Sequence, residues 1–274
     1  MTALSMAAIS EDRFILGLGV SGPQVVEGLH GVPFKRPLTR LRETVEIIKQ
    51  AFAGEKINYE GSHHVLPLPG GEGKSLRLSQ PANAEIPIWL ATLGPNSLEY
   101  TGEVADGWAG TSFLPSGASA TIAHVRNGAL KAQRDPDAIQ YQAGGAVQFG
   151  DDLDQLLVPR RPGVAFTLGA MGSPSTNFYN DAYRRGGFEE EAKLVQRLWV
   201  ERERDKAIAA VPDELILQTN FLGTVPEVTQ RVRAYQAAGI NVLRVQPEGA
   251  DTQERLDSLG QIIDIVGGIN KETA

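Results

Sequence analysis

Two spacings of hydrophobic residues recur along the chain, and they predict alternating helices and strands. The clearest helix spans residues 37–53, where Pro37 suits the first helical position and Gly54 follows the end. One face of this helix is apolar and carries Leu38, Leu41, Val45, Ile48 and Phe52. Residues 86–91 (IPIWLA) are apolar without alternation, which is typical of a strand covered on both faces in a parallel sheet.

Strand and helix patterns follow one another along most of the chain. Strands are predicted over residues 13–19, 86–91, 107–111, 139–149 and 241–245. Further helices are predicted over residues 2–9, 95–105, 118–133, 225–238 and 252–267. The recurring strand–helix–strand unit predicts an α/β fold with a parallel sheet. The final units suit a (β/α)₈ barrel, which needs eight strands. Only five strands are predicted here, and the three missing strands would precede residue 13.

Residues 150–222 break this regular pattern. They hold the segment VPRRPG, a stretch rich in Gly, Ser and Asn, and one charged helix expected around residues 188–209. The regular pattern of helices and strands resumes at Thr224–Glu227 (TVPE), which has the sequence of a capping box. The expectation is a single domain over residues 1–274 with an irregular insertion at about 150–222.

Composition narrows the classes of function and of partner. A net charge of −7 without a basic block argues against nucleic acid or an anionic membrane as partner. The chain has no cysteine, so disulfides and thiolate chemistry are excluded. No apolar run approaches the ~20 residues of a membrane span, and no signal peptide is evident. A cytoplasmic protein is therefore expected.

Residues 86–110 (IPIWLATLGPNSLEYTGEVADGWAG) carry the most informative chemistry. An apolar strand enters a helix through a Gly-Pro turn. The first amides of such a helix and its dipole both favour an anion. The segment therefore predicts a phosphate-binding turn.

Three segments together resemble the luciferase-like oxidoreductase family. They are RFILGLGVSG, the stretch 86–110, and GAMGSPSTNFYND, with PLTRLRETVEIIKQAFAGEKINYEG between the first two. Within the family, the chain is most similar to the branch that uses the deazaflavin coenzyme F420. The resemblance implies a luciferase-type barrel whose first three βα units, about 70–90 residues, are absent from this chain. Members of the family are often dimers, so a homodimer is also an expectation.

The resemblance assigns cofactor contacts to two loops. The first loop holds Ser21 and Gly22, where the family places a small hydroxyl residue near the cofactor. The second holds the coenzyme's phosphate side and comprises Thr92, Leu93, Gly94, Asn96 and Ser97. Related enzymes have glycine where Leu93 stands. Leucine does not readily adopt a positive φ and could crowd an anion, so Leu93 is expected to weaken the turn.

Other polar residues are weaker candidates. Arg160 and Arg161 could meet a phosphate or the coenzyme's acidic tail, although a solvated loop is the commoner explanation. His63 and His64 would point to opposite faces of an extended strand, which is poor geometry for a shared metal, and no metal site is expected. No catalytic acid or base can be named.

The hypothesis is an F420-dependent oxidoreductase that transfers a hydride between the deazaflavin and an organic substrate. An FMN-dependent monooxygenase of the same family is the close alternative. A third possibility, different in kind, is an inactive truncated fragment that acts only as an interaction partner, because an incomplete barrel exposes sheet edges.

Overall fold

A computed structural model describes residues 1–173 and 175–273, and these residues form two compact units. The first unit consists of Met1–Thr92 and Ala105–Gly107, and the second of Leu93–Val104 and the chain from Trp108 onward. The single-domain organisation stays a prediction. Among the described residues, no helix is both long and apolar enough to span a bilayer.

The first unit is built on two neighbouring parallel strands. Its helices are α1 (Thr2–Ile9), α2 (Pro23–Gly28) and α3 (Pro37–Phe52), and its strands are β1 (Leu16–Gly19), β2 (Tyr59–Glu60), β3 (Val65–Leu66) and β4 (Ile88–Ala91). β1 pairs with β4 in parallel, with Leu16 opposite Ile88 and Gly19 opposite Ala91. The short β2 and β3 pair in antiparallel fashion. The apolar character of residues 86–91 is explained, because Ile88, Trp89 and Leu90 are all buried.

The second unit alternates strands with many helices. Its strands are β5 (Gly107–Ala109, of which Gly107 belongs to the first unit), β6 (Gln140–Phe149), β7 (Phe221–Gly223) and β8 (Val242–Pro247). Its helices are α4 (Pro95–Val104), α5 (Ser119–Lys131), α6 (Leu153–Leu157), α7 (Arg161–Ala170), α8 (Phe178–Arg185), α9 (Glu189–Val200), α10 (Arg204–Ala209), α11 (Asp213–Thr219), α12 (Val225–Ala237) and α13 (Thr252–Thr273).

β6 lies between β7 and β8 and is parallel to both. Val147 stands opposite Phe221 of β7, and Gln142 stands opposite Val242 of β8. These pairings confirm the α/β class with parallel strands. β7 was missed from the sequence because it has only three residues, FLG, directly before the capping box. Closure into an eight-stranded barrel and the three absent units stay predictions.

The helical content of residues 150–222 overturns the prediction of an irregular insertion. α6 to α11 fill most of this segment. They bury a core of their own that includes Leu157, Leu168 and Ile216. The predicted helix over residues 188–209 is two helices, because the chain breaks between α9 and α10 with Arg202 at φ 65°. The sequence pattern failed here because short helices joined by polar turns have no long apolar period.

The second core of this unit packs against β6 and β7. It contains Trp108, Phe113, Tyr235 and Phe221, whose rings meet edge-on or tilted at centroid distances of 5.0–5.8 Å. Trp108 is 1% exposed and is therefore a core residue of this unit. The capping box is also confirmed, since the backbone amide and the hydroxyl of Thr224 both donate to the Glu227 carboxylate, at 2.8 and 2.7 Å.

Candidate functional site

In the first unit, the predicted contact residues follow the carboxyl ends of two paired strands. Ser21 and Gly22 come after β1, and Thr92 comes directly after β4. Because Gly19 stands opposite Ala91 in the parallel register, both loops leave the same edge of this strand pair. This is the edge at which sites are built in parallel sheets. Thr92 is almost fully buried, whereas Ser21 is exposed.

Backbone strain in the β1 loop falls on the serine and not on the glycine after it. Ser21 has φ 58°, in the left-handed region that non-glycine residues seldom occupy. Gly22 has φ −138° and precedes the first residue of α2 in an extended conformation that any residue can adopt. Strain of this kind costs on the order of 1 kcal/mol or more and concentrates at functional sites. The loop therefore keeps Ser21 as a candidate, while Gly22 has no conformational need to be glycine.

In the second unit, the remaining predicted residues form the turn at the start of α4. Leu93 and Gly94 precede Pro95, which takes the first helical position, and Asn96 and Ser97 lie in the first turn. Gly94 O accepts from the Leu98 amide and from Ser97 Oγ, both at 2.9 Å. The first amides of a helix have no carbonyl partner within it, so Asn96 and Ser97 supply two donors at the positive end of α4.

The expected weakness at Leu93 is not a backbone problem. Positive φ angles occur at several described residues, but residues 92–97 are not among them. Leu93 therefore adopts an ordinary conformation, and the glycine of related enzymes is not needed for the path of this turn. A side chain at Gly94 would also fit, because the nearest neighbour of a Cβ at this position would be Ser97 Oγ at 3.6 Å.

An arginine far along the chain holds this turn. Arg185, the last residue of α8, donates from Nη2 to the carbonyl oxygen of Leu93 at 2.8 Å. The bond places a guanidinium group next to the turn that precedes α4. Sequence reasoning missed Arg185, because 92 positions separate it from Leu93. The only signal was its place at the end of the helix that the NFYND motif begins.

Arg160 and Arg161 are engaged within the chain and do not lie in a solvated loop. Arg160 donates to the carboxylate of Glu248 and, at 2.9 Å, to Gln148 of β6, and only 10% of its side chain is exposed. Arg161 begins α7 and forms an ion pair with Asp213. Since both cations have internal partners, the structure gives no support to a coenzyme-binding role for either.

The adjacent histidines lie in a turn around a buried carboxylate, so the expected extended geometry is wrong. The backbone amides of His63 and His64 donate to Glu43 at 2.9 and 2.8 Å. The Nδ1 of His64 also lies 3.1 Å from this carboxylate. Across residues 1–173 and 175–273, His, Asp and Glu form no cluster of three that could hold a metal ion.

The NFYND segment is a packing motif. Asn177 and Asn180 are 4% and 1% exposed. Asn177 Nδ2 donates to the carbonyl of Leu168 at 2.9 Å, and Asn180 Nδ2 donates to Leu168 and to Ala192, at 3.0 and 2.8 Å. The two amides thereby join the C-terminal part of α7 to α8 and α9. Part of the family resemblance thus reflects the fold and not contact with a ligand.

Comparison with known proteins decides the family. Residues 1–241 match the family model described as luciferase-like monooxygenase. The chain belongs to the luciferase-like monooxygenase family. It is accordingly an oxidoreductase enzyme, as the resemblance implied.

Two curated relatives cover nearly the whole chain. The Mycobacterium tuberculosis protein Rv3520c, which carries the name of a coenzyme F420-dependent oxidoreductase, is 34% identical over 94% of this chain and 77% of its own length. The 5,10-methylenetetrahydromethanopterin reductase of Archaeoglobus fulgidus is 26% identical over 96% of this chain and 77% of its own length.

Solved structures show the same fold at low identity. The coenzyme F420 dependent tetrahydromethanopterin reductase from Methanopyrus kandleri superposes with a TM-score of 0.73 at 22% identity. The match covers 95% of this chain and 78% of the reductase. This similarity supports the α/β fold of the luciferase-like family for the described residues.

Proposed function

We propose that this enzyme uses coenzyme F420 to transfer a hydride to or from a small organic substrate. The observation that carries the proposal is the 34% identity, over 94% of the chain, to a protein named for coenzyme F420-dependent oxidoreduction. The deazaflavin supplies the hydride chemistry when it is bound, and the protein binds and orients it.

The turn at the start of α4 suits the phosphate of the coenzyme. Asn96 and Ser97 present backbone amides, Gly94 leaves room above the turn, and Arg185 adds a guanidinium held at Leu93. An anion placed there would meet donors, a helix dipole and a cation. Ser21, Gly22 and Thr92 stay predictions for contact with the coenzyme.

Gly94 offers a sharp test of this phosphate site. In Gly94→Asp, a carboxylate would stand at the turn and repel the phosphate, whereas Gly94→Ala adds a Cβ without charge. We expect Gly94→Asp to weaken F420 binding by at least about tenfold, equivalent to about 1.4 kcal/mol. Gly94→Ala should bind within about twofold of the parent chain. Titration of each protein with F420, followed by coenzyme fluorescence, measures both.

The same titration separates the alternatives. Saturable F420 binding with much weaker FMN binding supports the proposal, and tight FMN binding without F420 binding would instead favour the monooxygenase. Binding of neither coenzyme would contradict the proposal. An unchanged F420 affinity in Gly94→Asp would show that the phosphate lies elsewhere. An equal loss of F420 affinity in Gly94→Asp and Gly94→Ala would show that the added volume, and not the added charge, weakens binding.

A further inference from the structure

A small cavity opens in the first unit beside the carboxyl end of β1. Its volume is about 130 Å³. The end of β1, one residue of α2, the segment before α3 and the first turns of α3 form its walls. The lining residues are Leu18, Gly19, Val20, Val26, Phe34, Lys35, Pro37, Arg40, Leu41 and Thr44. The cavity thus begins at the strand end that Ser21 and Gly22 follow.

The floor of the cavity suits an apolar group of about one ring. Leu18, Val20, Val26, Phe34 and Leu41 are five of its ten lining residues and are all apolar. An apolar cavity of about 150 Å³ in another protein stays dry and binds benzene, so 130 Å³ is close to the space that one ring requires.

The rim of the cavity carries two cations. Within the part of the chain that the structure describes, the side chains of Lys35 and Arg40 make no hydrogen bond or ion pair. The nearby carboxylate of Glu27 instead accepts from the backbone amide of Phe34 at 2.9 Å. The two cations thus stand beside an apolar floor without a carboxylate that pairs with them among the described residues.

We propose that this cavity binds a monocarboxylate whose apolar body is about the size of one ring. The body would fill the space above Leu18 and Leu41, and the carboxylate would meet Lys35 and the guanidinium of Arg40. An arginine binds a carboxylate through two parallel hydrogen bonds, and a lysine beside it adds a second positive charge. Nothing in this proposal requires the coenzyme.

Benzoate is the probe, and the full chain without coenzyme is titrated with it by isothermal calorimetry. We expect saturable binding of benzoate, and much weaker binding both of benzyl alcohol, which lacks the charge, and of acetate, which lacks the ring. Arg40→Gln should weaken benzoate binding by about tenfold, the loss of one charge-assisted contact at a half-exposed site. Val26→Trp should abolish it by filling the cavity.

Two neighbouring residues provide matched controls. Arg36 is exposed and does not line the cavity, and Val25 lies next to Val26 on α2 with 43% exposure. Arg36→Gln and Val25→Trp should therefore keep the parent affinity for benzoate. Failure of the parent chain to saturate would overturn the proposal. So would an equal loss in Arg36→Gln, which would indicate unspecific attraction, or full binding in Val26→Trp. Because the coenzyme is absent, none of these outcomes bears on hydride transfer.

Discussion

At the scale of single residues, Glu43 is a carboxylate buried among donors. Only 5% of its side chain is exposed. The Ser62 amide and hydroxyl donate to it at 2.8 and 2.9 Å, in addition to the donors of His63 and His64. Burial by itself would raise the pKa of Glu43, but these hydrogen bonds outweigh it and lower the pKa from 4.5 to about 2. The carboxylate thereby ties the turn between β2 and β3 to α3.

This pKa gives Glu43 a defined pH dependence. A depressed folded-state pKa adds stability that is fully present above about pH 4.5 and is lost as the pH falls toward 2. Glu43→Gln, which turns an amide toward backbone donors, should cost about 2 kcal/mol at pH 7. The cost should shrink as the pH falls through this window. Denaturant unfolding at pH 7, 4 and 3 measures it.

Glu60 is the control for this prediction. It lies on β2, close in sequence to the same turn, and is exposed. Glu60→Gln should change the free energy of unfolding by less than about 0.5 kcal/mol at each pH. A Glu43→Gln cost that stays constant from pH 7 to pH 3 would contradict the role given to the Glu43 carboxylate.

Asn180 is the second residue with a clear energetic role. Its amide group bridges the carbonyls of Leu168 and Ala192 in a fully buried position. Asn180→Ala would remove one buried donor from each carbonyl, of which Leu168 keeps the Asn177 amide, and we expect it to lose about 2 kcal/mol of stability. Asn127→Ala is the matched control, because Asn127 is an exposed asparagine within α5. Urea unfolding of both variants measures this loss of stability. Equal unfolding midpoints for Asn180→Ala and Asn127→Ala would contradict the role given to Asn180.

At the scale of elements, two glycines set the distance between α4 and α5. A Cβ on Gly128 of α5 would stand 1.8 Å from the Glu99 carbonyl oxygen, and one on Gly102 of α4 would stand 1.8 Å from that of Val125. The helices therefore touch backbone to backbone. This close packing fixes the position of α4, whose first turn is the proposed phosphate site.

Gly128→Ala should consequently destabilise the protein despite alanine's better helix propensity. Overpacking of this kind costs about 3 kcal/mol, which exceeds the gain of about 1 kcal/mol from propensity. Gly260→Ala in α13 is the control, since a Cβ there would meet no atom within 4 Å. It should leave stability unchanged or raise it slightly. Thermal unfolding compares the two, and a stable Gly128→Ala would show that the helices can separate at no cost.

At the scale of the whole molecule, the family and the type of chemistry were accessible from sequence. The order of RFILGLGVSG, the 86–110 segment and GAMGSPSTNFYND led to the luciferase-like family, and the family model over residues 1–241 confirms it. Assembly as a homodimer stays a prediction. The coenzyme follows from relatives and not from any one motif, because the phosphate-binding turn by itself is common to many α/β enzymes.

The sequence by itself determined those features that depend on neighbours along the chain. Pro37 and Gly54 mark the two ends of α3, and the TVPE segment marks the start of α12. The apolar run at residues 86–91 contains the buried strand β4. Each rests on backbone geometry or on side chains within a few residues. The same local signals were too weak for β7 and for the short helices of residues 150–222, whose positions depend on packing.

Only the tertiary structure decided which distant groups meet. Arg185 reaches Leu93 across 92 positions, Arg160 reaches Glu248 across 88, and the turn holding His63 and His64 closes on Glu43. None of these contacts has a periodic signature, because each is fixed by the path of the chain and not by its local conformation. The sequence thus predicted an anion-binding turn in the 86–110 segment, but it could not predict that Arg185 lies beside this turn.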